Sequence, residues 1–313
     1  MAELFFENMG TAALQVVVLF IIVAVGFVSD KLKFYTEKTA KATTKLLFYV
    51  ITPTVIVRSF LTMEYSKEKL GGFLIALACA IGTHICGIIL SIPFFNKLDT
   101  RTGTVYKFAS IFGNMGYMGL PLAQSVVGPM GVFYCSAGVV AYNILVFTYG
   151  SWMFLRHKEG YKFSPKSLIL NPGIIAVSIG IPLFIFGIKM PSFLDSATQH
   201  IANMNTPLAM LLLGTYISNA DIKTLFKQKE NYLVLLLKQI CMPLIMITIY
   251  RLLGFEGDLL TSIGISCCVP CATNTVMFAG RYDADTRTAA KVVAFCTFMA
   301  IFTMPFMIAY TKL

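Results

Sequence analysis

Two short polar stretches interrupt an otherwise apolar chain. The first, GNMGYMGLPLAQ (113–124), carries three glycines, Asn114, Pro121 and Gln124. The second, CVPCATNT (268–275), carries Pro270, Thr273, Asn274 and Thr275. A third polar residue, Asn143, stands in AYNILVF (141–147). Asparagine and glutamine offer a donor and an acceptor in one side chain. Proline withholds a backbone donor and crowds the preceding turn, so it releases backbone groups from the helical ladder. Free N–H groups at the start of a helix hold anions without any cationic side chain. The chemistry these residues could do is therefore recognition: a carboxylate held between amides and backbone donors. Packing kinks and hydrogen bonds between helices are the plainer readings of the same residues.

Bond-making chemistry has no support here. HExxH, paired aspartates in a GxGD context and a GxSxG serine are all missing, which argues against an intramembrane protease and against an enzyme of those kinds. Cys267, Cys268 and Cys271 form CCxxC, but no histidine is near in sequence, and they read as small apolar residues. No cofactor is expected.

The elements that must position the polar residues follow from composition. Hydrophobic residues make up 57% of the chain, charged residues 13%, and mean hydropathy is +0.75. Soluble domains are about a quarter charged. Apolar runs of roughly 20 residues recur throughout, each long enough to cross a bilayer. The fold class expected is an all-α polytopic membrane protein. The predicted spans are 9–29, 43–62, 70–94, 107–127, 131–155, 168–188, 198–219, 231–252, 258–280 and 289–311. The acidic start, MAELFFENMG, lacks the basic region of a signal peptide, so the first run reads as a retained helix.

Lysine and arginine set the orientation. The connections after the odd-numbered spans hold 18 of them, and the opposite side holds 6, with Lys238 inside the eighth span. By the positive-inside rule both termini lie outside the cytoplasm. The net charge of +10 thus tracks topology and membrane lipids rather than a nucleic acid.

Ten spans divide as five plus five, with equivalent helices inverted. Pro53 and Pro207 stand in Thr-Pro helices of the two halves, and Pro121 and Pro270 stand in their fourth helices. That is the weak internal symmetry of an inverted-repeat transporter, whose site lies where discontinuous helices meet. The halves are residues 1–155 and 168–313, joined by a short cytoplasmic connection, 156–167. The expected site residues are Asn114, Pro121, Gln124, Asn143, Pro270, Thr273 and Asn274. No aspartate or glutamate is expected deep in any span, so His84 is the candidate for proton coupling. Lys238 is expected to snorkel to the inner surface. Arg58 and Arg251 read as interface anchors or as attraction for anions.

At GNMGYMGLPLAQSVVG, AYNILVFTYG, Asn171-Pro172 and VPCATNTVMFAGRYDAD the chain resembles the auxin efflux carrier family, whose members include plant PIN-type auxin carriers and bacterial malonate and malate carriers. The resemblance covers nearly the whole chain. It implies a fold like that of sodium/proton antiporters and bile-acid symporters, with helices four and nine crossing at Pro121 and Pro270. It implies scaffold helices within 9–62 and 168–219, a mobile core within 70–155 and 231–311, elevator-type alternating access and a homodimer. It also implies a small organic anion as substrate, a mono- or dicarboxylate or an auxin-like acid, contacted by Asn114 and Asn143, with a location in the cell membrane. The long central loop of the plant members is absent, as is their acid–base pair in helix three, where only His84 stands. The acidic sodium ligand of bile-acid symporters is missing from VPCATNT, so proton and sodium both stay open as coupling ions. A sodium-coupled symporter of the bile-acid type and a receptor that keeps the transporter fold are the alternative functions.

Overall fold

The computed structural model describes residues 2–155, 170–219 and 225–313, with side chains for all of these except 2–8, Glu37 and Lys41. The expected connection 156–167 and its four basic residues lie outside the described residues, and so does Lys223. The described chain is helical. In order, the segments are α1 (Ala2–Lys31), α2 (37–61), α3 (Lys67–Ser91), α4 (Thr100–Ile111), α5 (115–126), α6 (129–155), α7 (Pro172–Ile185), α8 (Ser192–Asn203), α9 (Asn205–Ser218), α10 (229–252), α11 (Gly257–Cys268), α12 (Asn274–Arg281) and α13 (Thr286–Thr311).

Six of these stretches are long and apolar enough to cross a membrane: Met9–Lys31, Lys38–Leu61, Lys67–Ser91, Pro129–Leu155, Lys229–Leu252 and Thr286–Thr311. Pro172–Ile185 and Gly257–Cys268 are shorter apolar helices. The chain is a multi-pass helical membrane protein. Two predicted spans are not continuous helices. The stretch 107–127 divides into α4 and α5, and 258–280 divides into α11 and α12. The span expected at 198–219 also divides, between α8 and α9 at Met204.

The prolines do not all break their helices. Widened π turns occupy Leu47–Ile51, Met115–Gly119 and Leu236–Cys241, and Pro53, Pro121 and Pro243 each follow one by two residues. A proline ring collides with the carbonyl four residues back and leaves it without a donor. A wider turn just upstream moves the carbonyls out of that register, so the helix continues. Pro121 is therefore helical and buried, and it is not where the first helix breaks. The break lies at Phe112–Asn114, where Phe112 is extended at φ −95°, ψ 121°. In the second helix the break does include its proline, since α11 ends at Cys268 and α12 begins at Asn274.

Capping side chains close several helix starts. Ser66 accepts from Lys69 N, Asn171 from Gly173 N and Ile174 N, and Asp285 from Thr288 N. Asp99 accepts from Arg101 N and Thr102 N, and its hydrogen bonds from Thr102 hold its carboxyl below the usual carboxylate range.

Packing brings α1 along α9 and α13, α2 along α7, and α3 and α11 along α6. The α1–α9 contact is backbone to backbone. A Cβ on Gly214 would lie 2.1 Å from the Val23 carbonyl oxygen, and one on Gly26 would lie 2.3 Å from that of Leu211. Small residues permit such approach where lipid supplies no hydrophobic drive between helices. Buried polar side chains tie other elements. Gln239 donates to the Cys296 carbonyl at 2.7 Å and accepts from Thr303 at 2.9 Å, linking α10 to α13.

Candidate functional site

The two breaks meet. Asn114 N donates to the Pro270 carbonyl at 2.7 Å, and Ala272 N donates to the Phe112 carbonyl at 2.9 Å, so Gly113 and Cys271 pair as a single antiparallel bridge. Each broken segment thereby satisfies part of the other's backbone, which low-dielectric surroundings demand. Gly113 has to be small here. A Cβ on it would fall 2.7 Å from Val269 Cγ2 and 3.1 Å from Lys238 Nζ.

The exchange is incomplete, and it leaves backbone donors free at the cavity. A segment's first turn has N–H groups with no partner inside the helix. Among the described residues, the backbone N–H groups of Gly116, Tyr117, Thr273 and Asn274 have no hydrogen-bond partner. All four residues line one cavity of about 50 Å³. Asn114 lines it too. Its side chain is buried, and its Nδ2 has no hydrogen-bond partner. An unpaired buried donor costs about 1–3 kcal/mol, so its persistence asks for an acceptor.

The remaining wall is part polar and part apolar. Asn143 and Tyr142 contribute from α6, Thr52, Pro53 and Phe48 from α2, and Gly173 from the start of α7. Asn274 Nδ2 donates to the Tyr142 hydroxyl at 3.0 Å. Asn143 Oδ1 accepts from Asn171 Nδ2 at 3.2 Å, while Asn171 Oδ1 caps α7. Asn143 is thus partly committed to positioning the start of α7. A space of this size holds a few water molecules or a carboxylate group. Among the described residues no acidic side chain lines it. The backbone donors and the Asn114 amide nitrogen suit an acceptor bearing negative charge, beside the amide oxygens of Asn114 and Asn274.

Of the sequence-derived site residues, Asn114, Asn143, Thr273 and Asn274 share this cavity. Pro270 forms the bridge beside it. Pro121 and Gln124 do not belong to it and line a second cavity of about 320 Å³. The pairing of Pro121 with Pro270 at the crossing is corrected accordingly: Gly113, eight residues earlier, is the partner of Cys271. Tyr142 and Thr52 are wall residues that sequence reasoning passed over, although both adjoin residues it singled out.

Lys238 does not snorkel. It is 2% exposed, and its Nζ donates to the Cys267 carbonyl at 3.2 Å, behind Gly113. A cation there sits against the carbonyl end of α11, where the helix dipole is negative. Snorkelling failed because Lys238 lies on the inward face of its π turn, with Leu237 and Gln239, while Leu236 of the same turn is exposed. His84 makes its hydrogen bond within its own helix, from Nδ1 to the Ala80 carbonyl at 2.7 Å, and not between helices. Its ring centroid lies 5.6 Å from Phe112 and 6.4 Å from Tyr142, beside the crossing but not on the cavity wall. Arg251 stacks on Tyr310 and donates to its carbonyl. Cys267, Cys268 and Cys271 are buried free thiols, and no group of histidine, cysteine and acidic side chains able to hold a metal ion occurs among the described residues.

Comparison with known proteins gives one family and several distant relatives. A family model described as "Membrane transport protein" matches residues 11–308. An uncharacterized transporter of Methanocaldococcus jannaschii is 24% identical over 294 residues, covering 90% of this chain and 93% of the relative. An uncharacterized transporter of Escherichia coli is 21% identical over 305 residues, covering 94% and 95%. A Rhizobium meliloti protein named "Putative malonate transporter" is 21% identical over 242 residues, covering 72% and 73%.

Proposed function

Because the chain belongs to the membrane transport protein family, the auxin efflux carrier family that its motifs resemble, we propose that it carries small organic anions. It is a membrane transporter rather than an enzyme. The substrate class read from the site is a mono- or dicarboxylate, and the malonate name of the Rhizobium relative makes malonate the first compound to try. One observation carries the reading: the partnerless Nδ2 of buried Asn114, in a cavity also lined by Gly116, Tyr117, Thr273 and Asn274, whose backbone N–H groups have no partner among the described residues. A carboxylate oxygen accepts several hydrogen bonds at once, and donors fixed by the backbone need no reorganisation to meet it.

The test is malonate binding to purified protein, read as thermal stabilisation and as uptake into proteoliposomes, with a panel of other mono- and dicarboxylates beside it. A wild-type protein that neither binds nor carries any of them defeats the reading. Wild-type transport without sodium or a pH gradient makes the carrier facilitative.

The mechanism belongs to the same proposal. Two inverted five-helix repeats, 1–155 and 168–313, place the crossing near the midplane. The core helices within 70–155 and 231–311 move against scaffold helices within 9–62 and 168–219, carrying the crossing from one face to the other. The 18-to-6 basic bias supports termini outside the cytoplasm in the cell membrane, and the family resemblance supports a homodimer. A reporter fused at the C-terminus that reads cytoplasmic removes the orientation. His84 is the proton-coupling candidate, and His84→Gln with unaltered pH dependence of accumulation removes it.

A further inference from the structure

The second cavity is the larger and differs in kind. It encloses about 320 Å³ between the end of α2, α5, the start of α6, α8 and the start of α9. Amide and hydroxyl side chains from four of these elements reach it, among them Gln124, Gln199, Asn203, Asn205 and Thr206. Among the described residues Arg58 is the single ionisable one on its wall, and no acid lines it. A buried guanidinium in a membrane protein marks a functional position by default, because it costs too much to keep without a use.

Arg58 is partly engaged. Nη1 donates to the Asp195 carbonyl at 2.7 Å, to Asp195 Oδ1 at 2.6 Å and to Thr198 Oγ1 at 2.7 Å. Nη2 donates to Gln199 Oε1 at 2.6 Å. A guanidinium has five N–H groups in a planar fork. The Nε–H has no partner among the described residues, and Nη2 keeps a second hydrogen, so the fork still has donors for a carboxylate. Its carboxylate partner is weakly held: the Arg58 side chain is 8% exposed but that of Asp195 is 51% exposed, on a helix with no buried residue. An exposed carboxylate on a surface helix is easily exchanged for another.

The two cavities adjoin. Thr52 lines the crossing cavity, Asn205 lines the larger one, and Thr52 Oγ1 donates to Asn205 Oδ1 at 3.2 Å. The α5 segment runs from one to the other, with Tyr117 on the first wall and Leu120 and Pro121 on the second. That neutral hydrogen bond, of a kind worth about 0.5–1.5 kcal/mol, links the two walls.

We propose that this chamber is a second binding site for small organic anions, where Arg58 receives the carboxylate in competition with Asp195 before the anion reaches the crossing. The proposal rests on the carrier reading above. It assigns opposite roles to the two members of one ion pair, which a purely structural pair does not have. Arg58 attracts the substrate, and Asp195 is its rival.

The experiment is the concentration dependence of initial malonate uptake from the chamber side, with the full chain in proteoliposomes. Arg58→Gln raises KM about ten-fold, the loss of one charge-assisted hydrogen bond, with the maximal rate little changed. Arg58→Lys falls between, since lysine keeps the charge but loses the fork. Asp195→Asn lowers KM several-fold. Asp195 is half-exposed, so this variant folds and carries the test even if Arg58→Gln does not. KM moving upward in both Arg58→Gln and Asp195→Asn, together with lower melting temperatures, marks a structural ion pair and overturns the chamber alone. Unchanged KM in both does the same. A wild-type protein that carries no mono- or dicarboxylate overturns the carrier reading first, and the chamber with it.

Discussion

Backbone meets backbone at two places in this protein, with opposite results. Between α1 and α9 two intact helices touch through Gly26 and Gly214, and among the described residues no backbone-to-backbone hydrogen bond passes between them. Between α4–α5 and α11–α12 the helices are broken, two bonds pass from one chain segment to the other, and backbone N–H groups are left over, among them those of Gly116, Tyr117, Thr273 and Asn274. The first contact is closed at the backbone. The second is held by only two backbone bonds and retains unused hydrogen-bonding capacity. Close approach alone therefore does not make a site. Interrupting the ladder at the point of approach does.

The largest effect tests the closed contact. Gly214→Leu places side-chain atoms where the Val23 carbonyl now stands, at a Cβ separation of 2.1 Å. Neither backbone can yield, and the substitution costs about 3 kcal/mol or more. Thermal unfolding in detergent reads it. Near wild-type stability would show that α1 and α9 are farther apart than described.

Asn114→Ala tests the open contact and moves stability the other way. It removes a buried donor that has no partner, so the melting temperature stays level or rises. Malonate affinity falls roughly ten-fold or more, since a hydrogen bond to a charged group contributes about 1.5–3 kcal/mol. A folded variant that binds normally places the anion elsewhere.

Tyr142→Phe is intermediate. It deprives Asn274 Nδ2 of its acceptor and costs about 1–2 kcal/mol of stability. Affinity weakens a few-fold through the displaced amide. If the loss in affinity exceeds that of Asn114→Ala, the tyrosine hydroxyl and not the amide is the main contact.

Pro121→Ala has the smallest effect. The π turn at Met115–Gly119 already accommodates the ring, and the break lies eight residues upstream. Stability changes by under about 1 kcal/mol, and malonate binding does not change. A ten-fold loss of binding would return the proline to the site.

The sequence by itself determined the class and pointed to four residues of the candidate cavity. Hydropathy depends on composition along the chain, and so the membrane segments could be read directly. Asn114, Asn143, Thr273 and Asn274 were visible because polar residues are costly in lipid wherever they point. Tertiary structure decided the rest. Whether a proline breaks a helix depends on whether the turn before it can widen, and the neighbours set that. Hence Pro270 lies in a break and Pro121 does not. Whether a lysine reaches lipid or the interior depends on helix rotation, so Lys238 was misread as a snorkelling residue. Arg58 and Asp195 stand 137 residues apart, and no local pattern announces their pairing. Spacing along one chain records what a helix presents on each turn. Which face another helix covers is a property of the packed bundle alone.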